Sequence, residues 1–259
     1  MLIGYSMPAV NAVSLAAGAS WLTSDNGAAL FDGKPARATR IQRTSGSPTI
    51  NITLASAIVV RVIALLGLNL PEGVTVAAAG ASGVTRRLQD GSVACWLVVP
   101  AAAATASVSV VITTTQGVIE IGELVVMPAV SVRIDAGWKI SLVDPTVVSE
   151  TVGMQIFADE RRPYRRLPVT LSMDTEARVR AGGLANGMDW ARLRYALTRA
   201  ARCVAIPRWE TAAGSGVVDA AKLHESALYG YSDVLGDIEQ VRGPWWRWSP
   251  AFREIPPAP

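Results

Sequence analysis

The chain has 259 residues, half of them hydrophobic, so it can bury a core the size of one large or two ordinary domains. Its net charge of +3 is too small to indicate specific nucleic-acid binding. Only 17% of the residues are charged, which indicates surface that other subunits cover. The basic residues are nearly all arginine, which interfaces prefer over lysine, although a genome rich in G and C gives the same bias.

The first 36 residues show no clear periodicity and contain two turn dipeptides, so we predict an N-terminal arm over residues 1–36. Trp21 is the candidate residue by which this arm contacts a neighbouring subunit. Residues 1–20 hold no lysine or arginine, so no signal peptide is predicted. The apolar run at 58–70 is short and carries Arg61, so no membrane segment is predicted either.

From residue 37 onward, short segments alternate apolar and polar residues with a period of two, which is typical of half-buried strands. The clearest such segment runs from Val108 to Ile112. Residues 58–66 are continuously apolar, which indicates a strand that is covered on both faces. No helical periodicity interrupts residues 37–144. We therefore predict a mainly β fold, with a jelly-roll β-sandwich over residues 37–144.

The pattern changes after Asp144, where strand-like segments are joined by one helical pattern at 188–201. Trp190, Leu193 and Leu197 share one face of that helix. This mixture of strands and one helix predicts a smaller α+β domain over residues 145–259.

Side chains suited to catalysis or metal binding are scarce. The only histidine, His224, is predicted to lie in a solvated turn, and the distant Cys95 and Cys203 are predicted to be buried free thiols. Glu120 and Glu123 resemble an acid/base pair, but an ordinary solvent-facing strand is the favoured interpretation. We therefore predict a protein that is not an enzyme and has no catalytic residue, bound metal or cofactor.

Arginines cluster around one tyrosine after the domain boundary. Such a cluster suits either a phosphate or sugar acid, or a contact between subunits, and the lack of a glycine-rich cradle favours the contact. On this view, truncating the tyrosine and one arginine leaves the fold intact and lowers assembly. The candidate interface residues are Arg161, Arg162, Tyr164, Arg165 and Arg166.

Three tryptophans lie close together near the end of the chain. Alternation places Trp246 and Trp248 on one face of a strand and Trp245 on the other. Three such rings suit stacking on sugars, or anchoring of the chain end into a domain, and we favour the anchor. A carbohydrate-binding module that attaches to a host cell surface is the alternative function that these residues suggest.

The order of several segments resembles a family of tail-tip proteins of long-tailed bacteriophages. The similar segments include LFDGKPARATR, TINITLA followed by IVVRVIALLGLNLPEGVTVAA, and WWRWSPAFREI. The strand GVIEIGELVVMPAV is similar to the family's "IEIGRLVLG" strand, with Glu123 in place of the usual arginine and Met127-Pro128 in place of the usual glycine. None of these motifs is catalytic.

This resemblance implies a structural component of the tail tip or baseplate, similar to the distal tail protein. The implied sandwich is galactose-binding-like, and the implied assembly is a ring of identical subunits, a hexamer or trimer, between the tail tube and the hub. Its implied partners are the tail tube protein, the hub or minor tail proteins and the end of the tape-measure protein. The implied location is the virion, after synthesis in the host cytoplasm.

Overall fold

The computed structural model describes residues 1–16, 18–22, 27–150, 156–198 and 200–256. The predicted mainly β class is confirmed, because antiparallel strands dominate these ranges and the helices are short. No helix in the described part of the chain is long and apolar enough to cross a membrane.

The first half of the chain consists of short strands. They are β1 (Leu2–Gly4), β2 (Val10–Leu15), β3 (Ala19–Trp21), β4 (Thr39–Arg43), β5 (Thr49–Ile58), β6 (Val62–Leu68), β7 (Thr75–Ala78), β8 (Ala81–Val84), β9 (Arg86–Arg87), β10 (Val93–Val98), β11 (Thr105–Thr113), β12 (Val118–Ile121), β13 (Glu123–Met127), β14 (Ala129–Ser131) and β15 (Ser141–Val143). A 3-10 helix covers Gly27–Phe31. Residues 37–144 contain no helix, as predicted.

The described part of the second half combines strands with three short α-helices. The strands are β16 (Val147–Glu150), β17 (Ile156–Asp159), β18 (Tyr164–Pro168), β19 (Leu171–Asp174), β20 (Arg202–Ile206), β21 (Leu228–Val234), β22 (Ile238–Arg242), β23 (Trp245–Trp248) and β24 (Ala251–Glu254). The helices are α1 (Glu176–Arg180), α2 (Trp190–Ala196) and α3 (Ala220–Ser226), with a 3-10 turn at Ala185–Gly187.

The sheets are stacked in layers. An outer five-stranded sheet, β2-β5-β11-β7-β8, packs on a layer made of two sheets, β13-β6-β10-β9 and β12-β4-β3. Behind that layer lies a seven-stranded sheet, β14-β1-β20-β21-β24-β18-β15, whose far face packs against α1, α2 and the sheet β19-β23-β22. The sandwich of the first half therefore shares a buried face with the sheet of the second half.

The middle layer explains the continuous apolar run in the sequence. In β6, Ile63 and Leu65 face the first core, while Val62, Ala64 and Leu66 face the seven-stranded sheet. Both faces of this strand are thus covered, as its composition predicts. The outer strand β11 instead alternates, with its apolar side chains in the first core and its serines exposed.

The predicted N-terminal arm is wrong, because residues before 37 belong to the sheets. Strand β1 lies between β14 and β20 inside the seven-stranded sheet, and Leu2 and Ile3 are almost fully buried. Strand β2 pairs with β5 in the outer sheet. Trp21, predicted to contact another subunit, packs against the first core in β3. The second core likewise draws on Val130, well before the predicted boundary at residue 145.

One glycine marks a close approach between two segments of the backbone. Gly122 separates β12 from β13, and a Cβ atom added there would lie 2.0 Å from the carbonyl oxygen of Pro35. Only glycine allows this approach, so the glycine in the middle of the apolar run has a packing role. The contact also fixes the segment that precedes β4.

Helix α2 supplies large side chains to the second core. Trp190, Leu193 and Leu197 are fully buried, as the predicted helical face requires. The helix is shorter than predicted, ending at Ala196. At its start, the buried carboxylate of Asp189 accepts hydrogen bonds from the backbone N–H groups of Arg192 at 2.8 Å and Gly182 at 3.2 Å.

We expect Asp189→Ala to lower the free energy of unfolding by about 1–2 kcal/mol, because it leaves two backbone N–H groups without their acceptor. Asp189→Asn keeps an oxygen at the cap and is the matched control. Urea unfolding of both variants measures the difference. Equal losses in the two variants would contradict a capping role for the side chain.

Candidate functional site

The arginine cluster around Tyr164 is divided between exposed and internal positions. Arg161 lies outside the sheet and pairs with Asp159, where both side chains are about 60% exposed. Tyr164 begins β18, and the guanidinium of Arg253 lies 3.9 Å from the centre of its ring. Arg166 pairs with Asp233 at 2.7 Å. Arg162 is exposed beside this group.

Arg165, an interface candidate in the sequence, is largely buried and held in an internal ion pair. Its side chain is 13% exposed and its partner Glu254 is 9% exposed. Its Nε donates to Glu254 at 2.9 Å, and its Nη2 donates to Glu254 and, at 2.9 Å, to the carbonyl oxygen of Ala227. Truncating Arg165 together with Tyr164 therefore removes an internal ion pair and does not leave the fold untouched.

The tryptophans near the chain end alternate as predicted. Trp246 is 8% exposed and Trp248 is fully buried, so neither presents a ring face to a sugar. The indole N–H of Trp246 donates to Glu176 at 2.8 Å, and Arg180 lies over its ring. Trp245 is 43% exposed on the other face. The proposed stacking platform is thus reduced to one ring, because the other two anchor β23 in the second core.

A buried polar cluster joins the two halves of the chain. Glu123 is fully buried at the start of β13, and its carboxylate accepts hydrogen bonds from the backbone N–H of Gly33 at 2.9 Å and the hydroxyl of Tyr229 at 3.0 Å. The Nη1 atom of Arg202 lies 3.4 Å away. The interpretation of Glu123 as a solvent-facing residue is wrong, because its strand is covered on both faces.

The buried environment of Glu123 strongly raises the pKa of its carboxyl group. Burial raises the pKa of Glu123 to about 7, although Tyr229, Arg202 and Gly33 each lower it. Burial and the neighbouring carboxylate also raise the pKa of Tyr229. Arg202 donates in addition to the carbonyl oxygens of Phe31 at 2.9 Å and Asp32 at 2.6 Å. The side chains of Glu123 and Tyr229 are buried, while that of Arg202 is 32% exposed. Because the cluster holds distant segments together, we assign it a structural role.

His224 is also buried, and its predicted place in a solvated turn is wrong. It lies in α3 and is 4% exposed. Its Nδ1 atom lies 2.8 Å from the carbonyl oxygen of Ala220, and its Nε2 atom accepts a hydrogen bond from the backbone N–H of Trp96 at 3.2 Å. These two contacts suit the neutral ring protonated at Nδ1, and burial lowers the pKa of His224.

The two cysteines are buried free thiols, as predicted. Burial raises the pKa of both Cys95 and Cys203 to about 12, so neither is poised as a nucleophile. Among the described residues, no group of three or more histidine, cysteine, aspartate or glutamate side chains is placed to hold a metal ion.

A β-hairpin formed by β16 and β17 exposes several large apolar side chains. The two strands pair with each other and belong to no other sheet. Val147, Val148 and Phe157 are 53%, 64% and 56% exposed, and Leu142, just before the hairpin, is 73% exposed. Clustered apolar exposure of this kind marks a surface that a partner covers. We refer to residues 144–150 and 156–160 as the acidic hairpin, because they contain four acidic residues and no basic one.

A cleft of about 830 Å³ lies beside Ser131 and Val132, where β14 ends. Trp138, Ile134 and the small residues at 212–214 line it together with several basic side chains. We call it the basic cleft, and its basic residues are Arg133, Arg178, Arg208 and Lys222. The one acidic residue in its lining, Glu210, accepts hydrogen bonds from the N–H groups of Gly214 and Gly216.

Neither the acidic hairpin nor the basic cleft was predicted as a site. A signal for the hairpin is present in the sequence, as a stretch of 17 residues with four acids and no base. The cleft has no such signal, because residues 131–138 and 207–214 meet only through the pairing of β1 with both β14 and β20.

No protein-family model, curated protein or solved structure matches the chain.

Proposed function

We propose that this chain is a structural component of a bacteriophage tail tip or baseplate that acts by assembling with other proteins. The observation that carries the proposal is the acidic hairpin, whose Val148 and Phe157 are more than half exposed. Such side chains cost free energy in water unless a partner covers them. The order of the segments similar to the tail-tip family supports the choice of a tail over other assemblies.

The proposed assembly is a ring of identical subunits, a hexamer or trimer, between the tail tube and the hub. Its proposed neighbours are the tail tube protein, the hub or minor tail proteins and the end of the tape-measure protein. The low fraction of charged residues supports extensive subunit contacts. The proposed location is the virion, after synthesis in the host cytoplasm.

Immunogold labelling of particles from the strain that encodes the chain tests this function. We expect antibodies against the purified chain to label one end of the tail, and the chain to remain with particles after a density gradient. A matched antiserum against an unrelated protein of that host is the control. Particles that contain none of the chain would refute the proposal. Binding of the isolated protein to a glycan array, without particle association, would favour the carbohydrate-binding alternative.

A further inference from the structure

The basic cleft continues into a second cavity along the surface. The cleft measures about 830 Å³, within the usual range for ligand sites, and the second cavity measures about 380 Å³. Trp138 and Arg208 line both of them, so these two side chains lie where the cavities meet. Arg133 lines only the cleft, and Lys139 lines only the second cavity. We call the two cavities together the basic groove, which has Trp138 and Arg208 at its junction and a further cation in each part.

The cations of the basic groove differ in how free they are to bind a ligand. Arg178 and Lys222 form ion pairs with aspartates and donate to backbone carbonyl oxygens, so they stabilise the wall. Arg133, Arg208 and Lys139 are exposed, and their side chains make no hydrogen bond or ion pair with another described residue. Guanidinium groups bind carboxylates and phosphates through paired hydrogen bonds. These three side chains therefore leave positive charge available to an anionic ligand.

Trp138 gives the groove a firmly held aromatic surface. Its half-buried side chain packs against the second core, as do those of Ile134 and Ile140. Part of the indole nevertheless lines both cavities, and its N–H has no acceptor among the described residues. Such a ring packs against the apolar face of a sugar, while its N–H donates to a hydroxyl group. The junction of the groove therefore suits a sugar ring.

The other polar groups of the groove favour a saccharide over an acidic peptide. The carboxylates of Glu210 in the cleft and Glu225 in the second cavity repel a run of acidic side chains, whereas sugar hydroxyls donate to them. Peptides often bind by adding a strand to a free sheet edge. Here the backbone N–H groups of Val132 and Asp135, in the segment along the cleft, already donate to other backbone carbonyls.

We propose that the basic groove binds an anionic oligosaccharide. One sugar ring packs on Trp138, and acidic groups of the chain pair with Arg208 and with Arg133 or Lys139. The acidic group is a carboxylate or a phosphate, because guanidinium groups bind both. This inference goes beyond the proposed function and does not rest on it, because saccharide binding and association with particles are measured separately.

An array of neutral, carboxylated and phosphorylated saccharides, probed with the purified full chain, tests the class of ligand. We expect the chain to bind acidic saccharides of at least one kind and not their neutral counterparts, and the kind that binds identifies the acidic group. An array on which no acidic saccharide binds, or on which neutral and acidic ones bind equally, would overturn the proposal. So would an oligoglutamate peptide that binds as tightly as the best saccharide, because the groove would then be a site for acidic protein segments.

A double variant places the binding in the groove. We expect Arg133→Gln with Arg208→Gln to weaken binding of the best saccharide roughly 10-fold or more, because both charge-assisted contacts are lost. Arg242→Gln with Arg247→Gln is the matched control, since it removes the same charge from two exposed arginines outside the groove. Both variants change surface residues, and circular dichroism verifies that they fold. Equal affinities in the two variants would refute the assignment of the site.

Single tryptophan variants decide which ring contacts the sugar. Trp138→Ala should weaken binding, whereas Trp245→Ala, which removes the exposed ring on β23, should not. The reverse result would place the saccharide at the chain end and overturn the proposal. If Trp138→Ala does not fold, the arginine variants carry the test. If particles contain the chain but no acidic saccharide binds, this inference fails and the proposed function stands.

Discussion

Replacing Arg165 by alanine is expected to lower the free energy of unfolding by roughly 3–5 kcal/mol, because it leaves the carboxylate of Glu254 buried without its cation. The two side chains are 13% and 9% exposed, so water reaches the remaining carboxylate only in part. The variant also loses the hydrogen bond to Ala227, which ties β18 to the start of β21. Urea unfolding at neutral pH measures the loss.

Arg161→Ala is the matched control for this prediction. Arg161 also pairs with a carboxylate, that of Asp159, but both side chains are about 60% exposed. Exposed pairs contribute little, so we expect a change within about 0.5 kcal/mol. Similar losses for the two variants would show that burial does not decide the strength of the Arg165 pair.

The second large effect is on pH dependence: the titration of Glu123 makes the free energy of unfolding depend on pH. Its pKa is about 7 in the folded protein, against an ordinary value of 4.5. Between these two pH values the folded chain binds a proton that the unfolded chain has released, so stability falls as pH rises through this window. The shift corresponds to roughly 3 kcal/mol.

Glu123→Gln removes this titration. We expect the wild type to lose roughly 3 kcal/mol more than the variant between pH 4.5 and 7, measured by urea unfolding at a series of pH values. Glu120→Gln is the control. Glu120 lies on the preceding strand and pairs with the exposed Arg40, and its substitution leaves Glu123 unchanged. A wild-type profile that parallels that of Glu123→Gln would contradict the raised pKa.

Local patterns in the sequence predicted the strands of the layered sheets well. Strand β6 is apolar throughout because both of its faces are covered, and β11 alternates because only one face is covered. The order of apolar and polar residues in each strand therefore indicates which faces are buried. The alternation of Trp245, Trp246 and Trp248 was read correctly for the same reason. The helical face of α2 was also predicted, although its end was not, because the chain turns after residue 196 without a proline or a clear cap.

The same local patterns do not predict contacts between distant segments. Glu123 looks solvent-facing in the sequence because its partners come from residues 33, 202 and 229. His224 is buried only because α3 packs against β10. Arg165 belongs to a group of arginines in the sequence, yet its partner Glu254 lies 89 residues away. Periodicity predicts which face of a strand is buried. It does not predict which charged residue from a distant segment contacts that face.

The place of β1 in the seven-stranded sheet constrains how the chain folds during synthesis. Leu2 pairs with Ser131 on one side and with Ile206 on the other. The ribosome makes roughly 5–20 residues per second, so β14 is available to β1 several seconds before β20 emerges. During that interval one side of β1 lacks its native neighbour and offers unpaired backbone groups to any other strand. Completion of the central sheet must therefore follow translation of residues 202–206, and the sandwich of the first half can form well before it.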